Sequence, residues 1–176
     1  MVKKVDVTGR ERYFGDDDLI VSKTNLQGKL TYTNKMFLDI SDYKEAEVLG
    51  QPHSVIRHPD MPRSIFKLLW DTIKDGDEIF AYVINRAKNG DHYWVLAHVT
   101  PSKNAQGEII GYHSNRRVPD RTILSEVIMP LYKSLLDIEQ ANSDRKLGLE
   151  RSFAELQSVI SSKEMKYDEF IASLSR

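Results

Sequence analysis

The chain has 176 residues, 40% apolar and 29% charged, with a net charge of −1 and no cysteine. That balance reads as a soluble globular protein, long enough for one domain of common size plus an appendage. It gives no electrostatic reason to expect nucleic acid or an anionic membrane surface as partner, and it excludes disulfides, thiolate metal sites and cysteine nucleophiles.

Taken in order, Met1-Val-Lys-Lys-Val-Asp-Val lacks an apolar signal region, and no run approaches the ~18 apolar residues of a spanning helix, so the expected compartment is the cytoplasm, without membrane insertion. Residues 1–18 end in Asp16-Asp17-Asp18 and read as a mobile arm, cap or short helix, with the acidic run solvated. Leu19–Thr24 and Lys29–Thr33 flank Asn25-Leu-Gln-Gly28 as a hairpin. Short helices are expected at Asn34–Ile40 and Lys44–Leu49. The Gly50–Pro62 loop leads into an amphipathic helix on Ile65, Leu68, Leu69, Trp70 and Ile73 that runs to about Lys74 and stops at Gly76. Glu78–Lys88 and Asp91–Thr100 are joined by Asn89-Gly90, a strong hairpin signal, and Asn104-Ala-Gln-Gly107 turns the chain into Glu108–Arg117.

Two strands, a helical crossover and three antiparallel strands make an α+β unit over residues 19–118, and a crossover packed on a sheet can enclose a pocket. Ile79, Ala81, Val83 and Asn85 share one face of their strand; Phe80, Tyr82 and Ile84 share the other, with His92, His98 and Trp94 on that outer side. Both faces are apolar, so something must cover the outer one. From Pro119 to the end the chain turns helical: Leu124, Val127, Leu131, Leu135 and Ile138 step by threes and fours with a kink at Pro130. A second series, Leu149, Phe153, Leu156, Ile160, Tyr167, Ile171 and Leu174, comes close to a heptad seam interrupted by Lys163. The seam can pack on its own domain or pair between chains.

The densest chemistry lies in Gly50-Gln-Pro-His-Ser-Val-Ile-Arg-His-Pro-Asp-Met-Pro62, with two histidines, Arg57 and Asp60 among three prolines. Proline stiffens such backbone without making it regular, a way to present polar groups from a loop. Asp60 is either the cap of the following helix or a ligand contact, and His53 and His58 are either ligand contacts or loop histidines bonded to backbone. Trp70 and Trp94 suit packing better than stacking on a ligand. No nucleophile–base pair or Glu-x-x-His spacing stands out, so neither an enzyme nor a metal site is expected.

The stretches Leu19-Ile-Val-Ser-Lys-Thr24, Leu30-Thr-Tyr-Thr-Asn34, Gly50-Gln-Pro-His53, Ile56-Arg-His-Pro-Asp-Met-Pro62 and Lys88-Asn-Gly-Asp-His-Tyr-Trp94, with Gly111-Tyr112 and Pro130-Leu-Tyr-Lys133, resemble the PAS domain of Aer-type aerotaxis receptors over roughly residues 15–135. The resemblance implies a five-stranded PAS sheet with a helical cradle and a non-covalently held FAD that senses redox or energy state. It places Arg57, His58 and Asp60 at positions associated with the flavin, with His53, Asn34, Asn85 and Trp70 as pocket lining. The family often has an aromatic ring where this chain has Ile79, so polar anchoring is expected to matter more than stacking. Aer-type receptors carry a membrane anchor and signalling coiled coil on the same chain, and nothing similar occurs here. The arrangement looks like the stand-alone PAS protein of bipartite energy-taxis systems (CetB type), which implies a membrane-bound chemoreceptor-like partner and a homodimer. There is no Gly-x-Gly-x-x-Gly, so a dinucleotide cannot be held in the Rossmann manner; Arg57 suits a pyrophosphate and Asn85 a flavin's pyrimidine edge. Two other readings remain at this stage, a haem-binding gas sensor using His113 and a cofactor-free PAS dimerisation module.

Overall fold

The computed structural model describes residues 6–162 and 167–174; Lys163 of the seam series and the first five residues lie outside them. Five strands, β1 (Ile20–Thr24), β2 (Leu30–Thr33), β3 (Ile79–Arg86), β4 (His92–Lys103) and β5 (Ile109–Arg117), form one antiparallel sheet in the order β2-β1-β5-β4-β3. Between β2 and β3 lie α1 (Lys35–Ser41), α2 (Glu45–Val48), a tight turn at His53–Ile56 and α3 (Arg63–Lys74). This is the sheet and helical cradle that the resemblance implies. Gly90 closes the β3–β4 hairpin at φ 97, a conformation a side chain would strain.

Register fixes the faces. Asn85 pairs with Tyr93, Val83 with Val95 and Ala81 with Ala97, which puts these six on the inner side under the cradle; Ile84 with Trp94, Tyr82 with Leu96 and Phe80 with His98 face outward. β4 runs on past its last β3 partner, so Pro101 sits where β3 no longer offers a ladder.

The chain covers its own outer face. Asp120 caps α4 (Arg121–Ile123), a π turn follows at Leu124–Ile128, and α5 (Met129–Gln140) continues without a break. The expected kink at Pro130 is thus a widened turn. Proline offers no N–H and crowds the carbonyl one turn back, and here the Met129 N–H reaches Leu124 O instead. α5 lies against the sheet: the Tyr132 hydroxyl donates to the Tyr82 carbonyl at 2.5 Å, and its ring is 6.1 Å from that of Trp94. α6 (Arg145–Ser161) packs on α5 and α3, and α7 (Tyr167–Leu174) on β3. Leu156 and Ile160 of the seam are buried within the chain, which decides for packing on its own domain in this structure.

Residues 8–12 differ from a mobile arm or short helix. They run extended along the β3–β4 turn, with Thr8 N–H bonded to Gly90 O and Arg12 N–H to His92 O. Asp91 anchors them, accepting from the Thr8 hydroxyl at 2.7 Å and from the Arg10 and Arg12 Nε atoms at 3.2 and 3.0 Å. Those hydrogen bonds, Thr8's first, hold its carboxyl well below the usual range.

Removing the Tyr132 hydroxyl leaves a buried carbonyl without that donor. Tyr132→Phe is expected to lower stability by about 1–3 kcal/mol in urea unfolding, and an unchanged midpoint would mean the hydroxyl contributes nothing to docking α5.

Candidate functional site

Between the inner face and the cradle lies a cavity of about 500 Å³, lined from the sheet by Val83, Asn85, Ala97 and Arg116 and from α3 by Phe66, Leu69 and Trp70. That size falls within the ~300–1,000 Å³ of small-molecule sites. Most of the wall is apolar. Trp70 meets Tyr112 edge-on at 5.5 Å. It also closes over the first hairpin, where Gly28 has φ 73 and an added Cβ would come within 2.9 Å of the indole.

The polar groups gather on the sheet side, around Arg116. This arginine is 2% exposed and forms no ion pair with a carboxylate among the described residues. Its Nη2 donates to His53 Nε2 at 2.8 Å and to the Ser22 hydroxyl, its guanidinium lies 5.5 Å over the Phe37 ring, and its Nη1 has no protein partner. Burial lowers its pKa to about 10, so it stays cationic at neutral pH. Burial first, then the Arg116 charge, drops His53 to about 3. The ring is therefore neutral and accepts at Nε2. Asn85 Nδ2 and the Tyr93 hydroxyl are likewise buried without a partner, and burial raises the Tyr93 pKa. Uncompensated charge and unpaired donors inside a protein are costly, and such groups beside a cavity are configured for an acceptor-rich guest.

Of the residues singled out from sequence, the structure brings His53, Arg57, Asn85, Trp70 and His113 to the cavity lining. Arg57 stacks 4.3 Å over Phe66 and its backbone bridges to Asn85, joining the loop to β3. Three others lie outside the lining. Asn34 spends its side chain on backbone, accepting from Val21 and Phe37 N–H and donating to Leu19 O, so it locks β1 to α1. His58 is 3% exposed, packs 5.7 Å from the His92 ring, and accepts from Asp60 N–H at Nδ1. Asp60 is exposed, and the residue at the cap position of α3 is Pro62, so Asp60 is not the helix cap. His113, though part of the lining, pairs with Lys23 and Thr100 between the inward Tyr112 and Ser114, so strand alternation turns its ring outward, where its Nε2 is buried without a partner.

Sequence reasoning missed Arg116. Alternation of Tyr112, Ser114 and Arg116 on β5 was the available signal, but an Arg116-Arg117 pair at a strand end reads as solvated.

Residues 30–116 match the PAS fold family. The chain is 43% identical over 130 residues to the aerotaxis receptor of Escherichia coli, covering 73% of this chain and 25% of the receptor. It is 30% identical over 97 residues to the nitrogen fixation regulatory protein of Klebsiella pneumoniae, covering 55% of this chain and 20% of that protein. The chain thus spans a quarter or less of the length of these curated relatives. Among solved structures, a light-oxygen-voltage domain probed with a flavin analogue superposes with a TM-score of 0.56 at 14% identity, over 66% of this chain and 87% of that one, which speaks for the fold alone.

The depressed histidines set a pH dependence. Below the ordinary value of 6.5 the unfolded chain binds a proton that folded His53 refuses until about 3. Its contribution is therefore complete above pH 6.5 and is lost as pH falls toward 3, by up to about 1.4 kcal/mol per pH unit. His58 and His113 shift in the same direction. Urea midpoints should fall on acidification, and less steeply in His53→Gln; equal slopes would show that His53 titrates normally in the fold.

Proposed function

Residues 30–116 of this chain belong to the PAS family, and from that premise we propose that the cavity holds FAD non-covalently and that the protein is a cytoplasmic redox sensor of the energy-taxis type. In this reading it works as a homodimer and relays flavin redox state to a membrane-bound chemoreceptor-like partner. The observation that carries the proposal is the buried Arg116 cation, with Nη1 unpartnered, beside the equally unpartnered Asn85 Nδ2 on an otherwise apolar wall. An isoalloxazine fits that environment: a flat apolar body with a pyrimidine edge rich in acceptors. The relationship to an aerotaxis receptor supports the same reading.

Residue roles follow from position. Arg116 supplies a fixed positive charge and at least one free donor toward the ring edge, which favours electron-rich forms of a guest. Neutral His53 accepts from Arg116 and holds its guanidinium in place. Asn85 can offer both a donor and an acceptor. Arg57, half-buried over Phe66, suits the pyrophosphate. His58 and Asp60 support the Arg57 loop in this reading, and Asn34 the strand beside Ser22. The bound flavin would supply reversible electron transfer. Its state could reach the surface through β3, because Asn85 faces the cavity while Ile84 and Tyr82 face the side on which α5 docks.

Among the described residues no group of three or more His, Asp or Glu could hold a metal ion, and no helix is long and apolar enough to cross a membrane. His113 belongs to the cavity lining and its Nε2 is buried without a partner, but alternation with the inward Tyr112 and Ser114 turns its ring away from the inner face, which favours the flavin reading over haem. A PAS module without a guest would leave Arg116 buried and uncompensated, a poor use of a core position.

Freshly purified protein should show flavin absorption bands, and denatured protein should release FAD. Arg57→Ala should weaken retention about tenfold or more, through loss of charge-assisted hydrogen bonds each worth roughly 1.5–3 kcal/mol, whereas His113→Ala should leave flavin content unchanged. A Soret band abolished by His113→Ala, or full FAD occupancy in Arg57→Ala near the wild-type dissociation constant, would overturn these assignments.

A further inference from the structure

The cavity wall is not complete without the C-terminal helices. Leu149 of α6 lines it beside Arg63 and Lys67 of α3, and all three are partly or wholly exposed, so they mark a side where the cavity meets solvent. α6 and the end of α5 are fastened to α3 by a specific set of bonds. Glu139, 7% exposed, accepts from Arg63 Nε at 2.9 Å and from the Ser64 backbone N–H at 3.1 Å. That N–H is in the first turn of α3, where no intrahelical carbonyl is available to it. Arg63 Nη1 reaches onward to Arg145 O at 2.8 Å, and the Ser152 hydroxyl donates to Ser64 Oγ at 2.8 Å in a fully buried contact. Lys67 lies 4.7 Å over the Phe153 ring. At the α5–α6 turn the backbones are so close that a Cβ on Gly148 would come within 2.8 Å of Glu139 O.

We propose that α6, held on α3 through Arg145 O and Ser152 and joined there by the α5 carboxylate Glu139, is a latch over the cavity. A guest exchanges only when α6 lifts from α3, and a bound guest holds α6 down. The fastenings converge on the first turn of α3, where Arg63 and Ser64 hold both the end of α5 and α6. Glu139 sits at the end of α5 with its backbone packed against Gly148 of α6, so a movement that carries the α5–α6 turn off α3 takes its carboxylate from Arg63 and Ser64, leaves a desolvated charge unpaired and favours full release over partial opening. Docking of α6 and occupancy of the cavity then share one equilibrium, and by linkage each biases the other. This gives the C-terminal helices a definite part in output: the position of α6 reports whether the cavity is filled. The proposal rests on reading the cavity as a ligand site, but not on which ligand fills it.

The chain has no cysteine, so a disulfide between Ser64→Cys and Ser152→Cys can lock α6 onto α3 without competing thiols. Two probes are followed in the oxidised and reduced double variant: FAD, by quenching of its fluorescence, and the apolar anionic dye 1-anilinonaphthalene-8-sulfonate, by its fluorescence gain. The latch predicts that uptake of both is slower by about tenfold or more when oxidised and recovers on reduction. In the otherwise unaltered chain, Glu139→Ala should speed FAD release and raise hydrogen exchange across 145–161, and Glu139→Gln, which retains one acceptor oxygen, should lie between. Equal uptake rates in the oxidised and reduced forms, with FAD binding intact, would overturn the latch and leave the flavin reading standing. Absence of FAD binding in the wild type, with dye uptake still controlled by the disulfide, would overturn the flavin reading and leave the latch standing. Should the disulfide fail to form, unchanged release and exchange in Glu139→Ala would overturn the latch.

Discussion

A sheet whose strands β3 and β4 are apolar on both faces has to be covered twice, and the rest of this structure is arranged around that requirement. The cradle from α1 to α3 covers the inner side, α5 and α7 cover the outer side, and α6 ties the two layers together by packing on both α5 and α3. Half-solvated antiparallel sheets alternate apolar with polar residues; here Tyr82, Ile84 and Trp94 are as buried as Val83 and Val95 opposite them. The sheet is therefore an interior element, and a displacement on one side meets packed side chains on the other rather than water. Part of the outer face stays open, with Phe80 stacked on His98 at 4.1 Å and Ile110 56% exposed.

Electrostatics inside the cavity follow from the same geometry. Arg116 is buried because β5 lies between β1 and β4, and the groups around it are neutral: His53 with its pKa depressed, the Ser22 hydroxyl, and Tyr93 with its pKa raised. A cation surrounded by neutral dipoles is a stronger partner for electron-rich matter than one already paired with a carboxylate. The contrast with Asp91 is instructive. There the charge is buried with Thr8, Arg10 and Arg12 all bonded to it, which is how a charge is treated when its task is to hold a chain segment in place.

Much of the fold was legible because it depends on local chemistry. Asn89-Gly90 gave a hairpin, the apolar spacing from Ile65 to Ile73 gave α3, and alternation in β3 gave both faces correctly. The site was legible only where a side chain's direction follows from its element, as for Asn85 on a strand and Trp70 on a helix. In the proline-rich loop it does not follow. Arg57 turns to the cavity while its neighbour His58 packs on His92 and Asp60 faces water, a division set by the path of the backbone rather than by residue type. Asn34 differs for another reason, since a side-chain amide has few hydrogen-bonding positions and capping α1 while bridging β1 uses them. Arg116 was invisible because its burial depends on pairing with β1, nearly a hundred residues earlier in the chain.

The widened turn at Leu124–Ile128 sets the phase of everything that follows it. A π turn holds one residue more than an α-helical turn would, so it acts as a single-residue insertion absorbed inside a continuous helix. Because each helical residue advances by roughly 100°, a regular helix through the same stretch would rotate Tyr132 away from Tyr82 and Glu139 away from Ser64 together. Both of these fastenings of α5, one to the sheet and one to α3, are thus in register only by virtue of that extra residue. The spacing between Ile123 and Tyr132 is accordingly a measured length, as intolerant of a one-residue change as the apolar core itself.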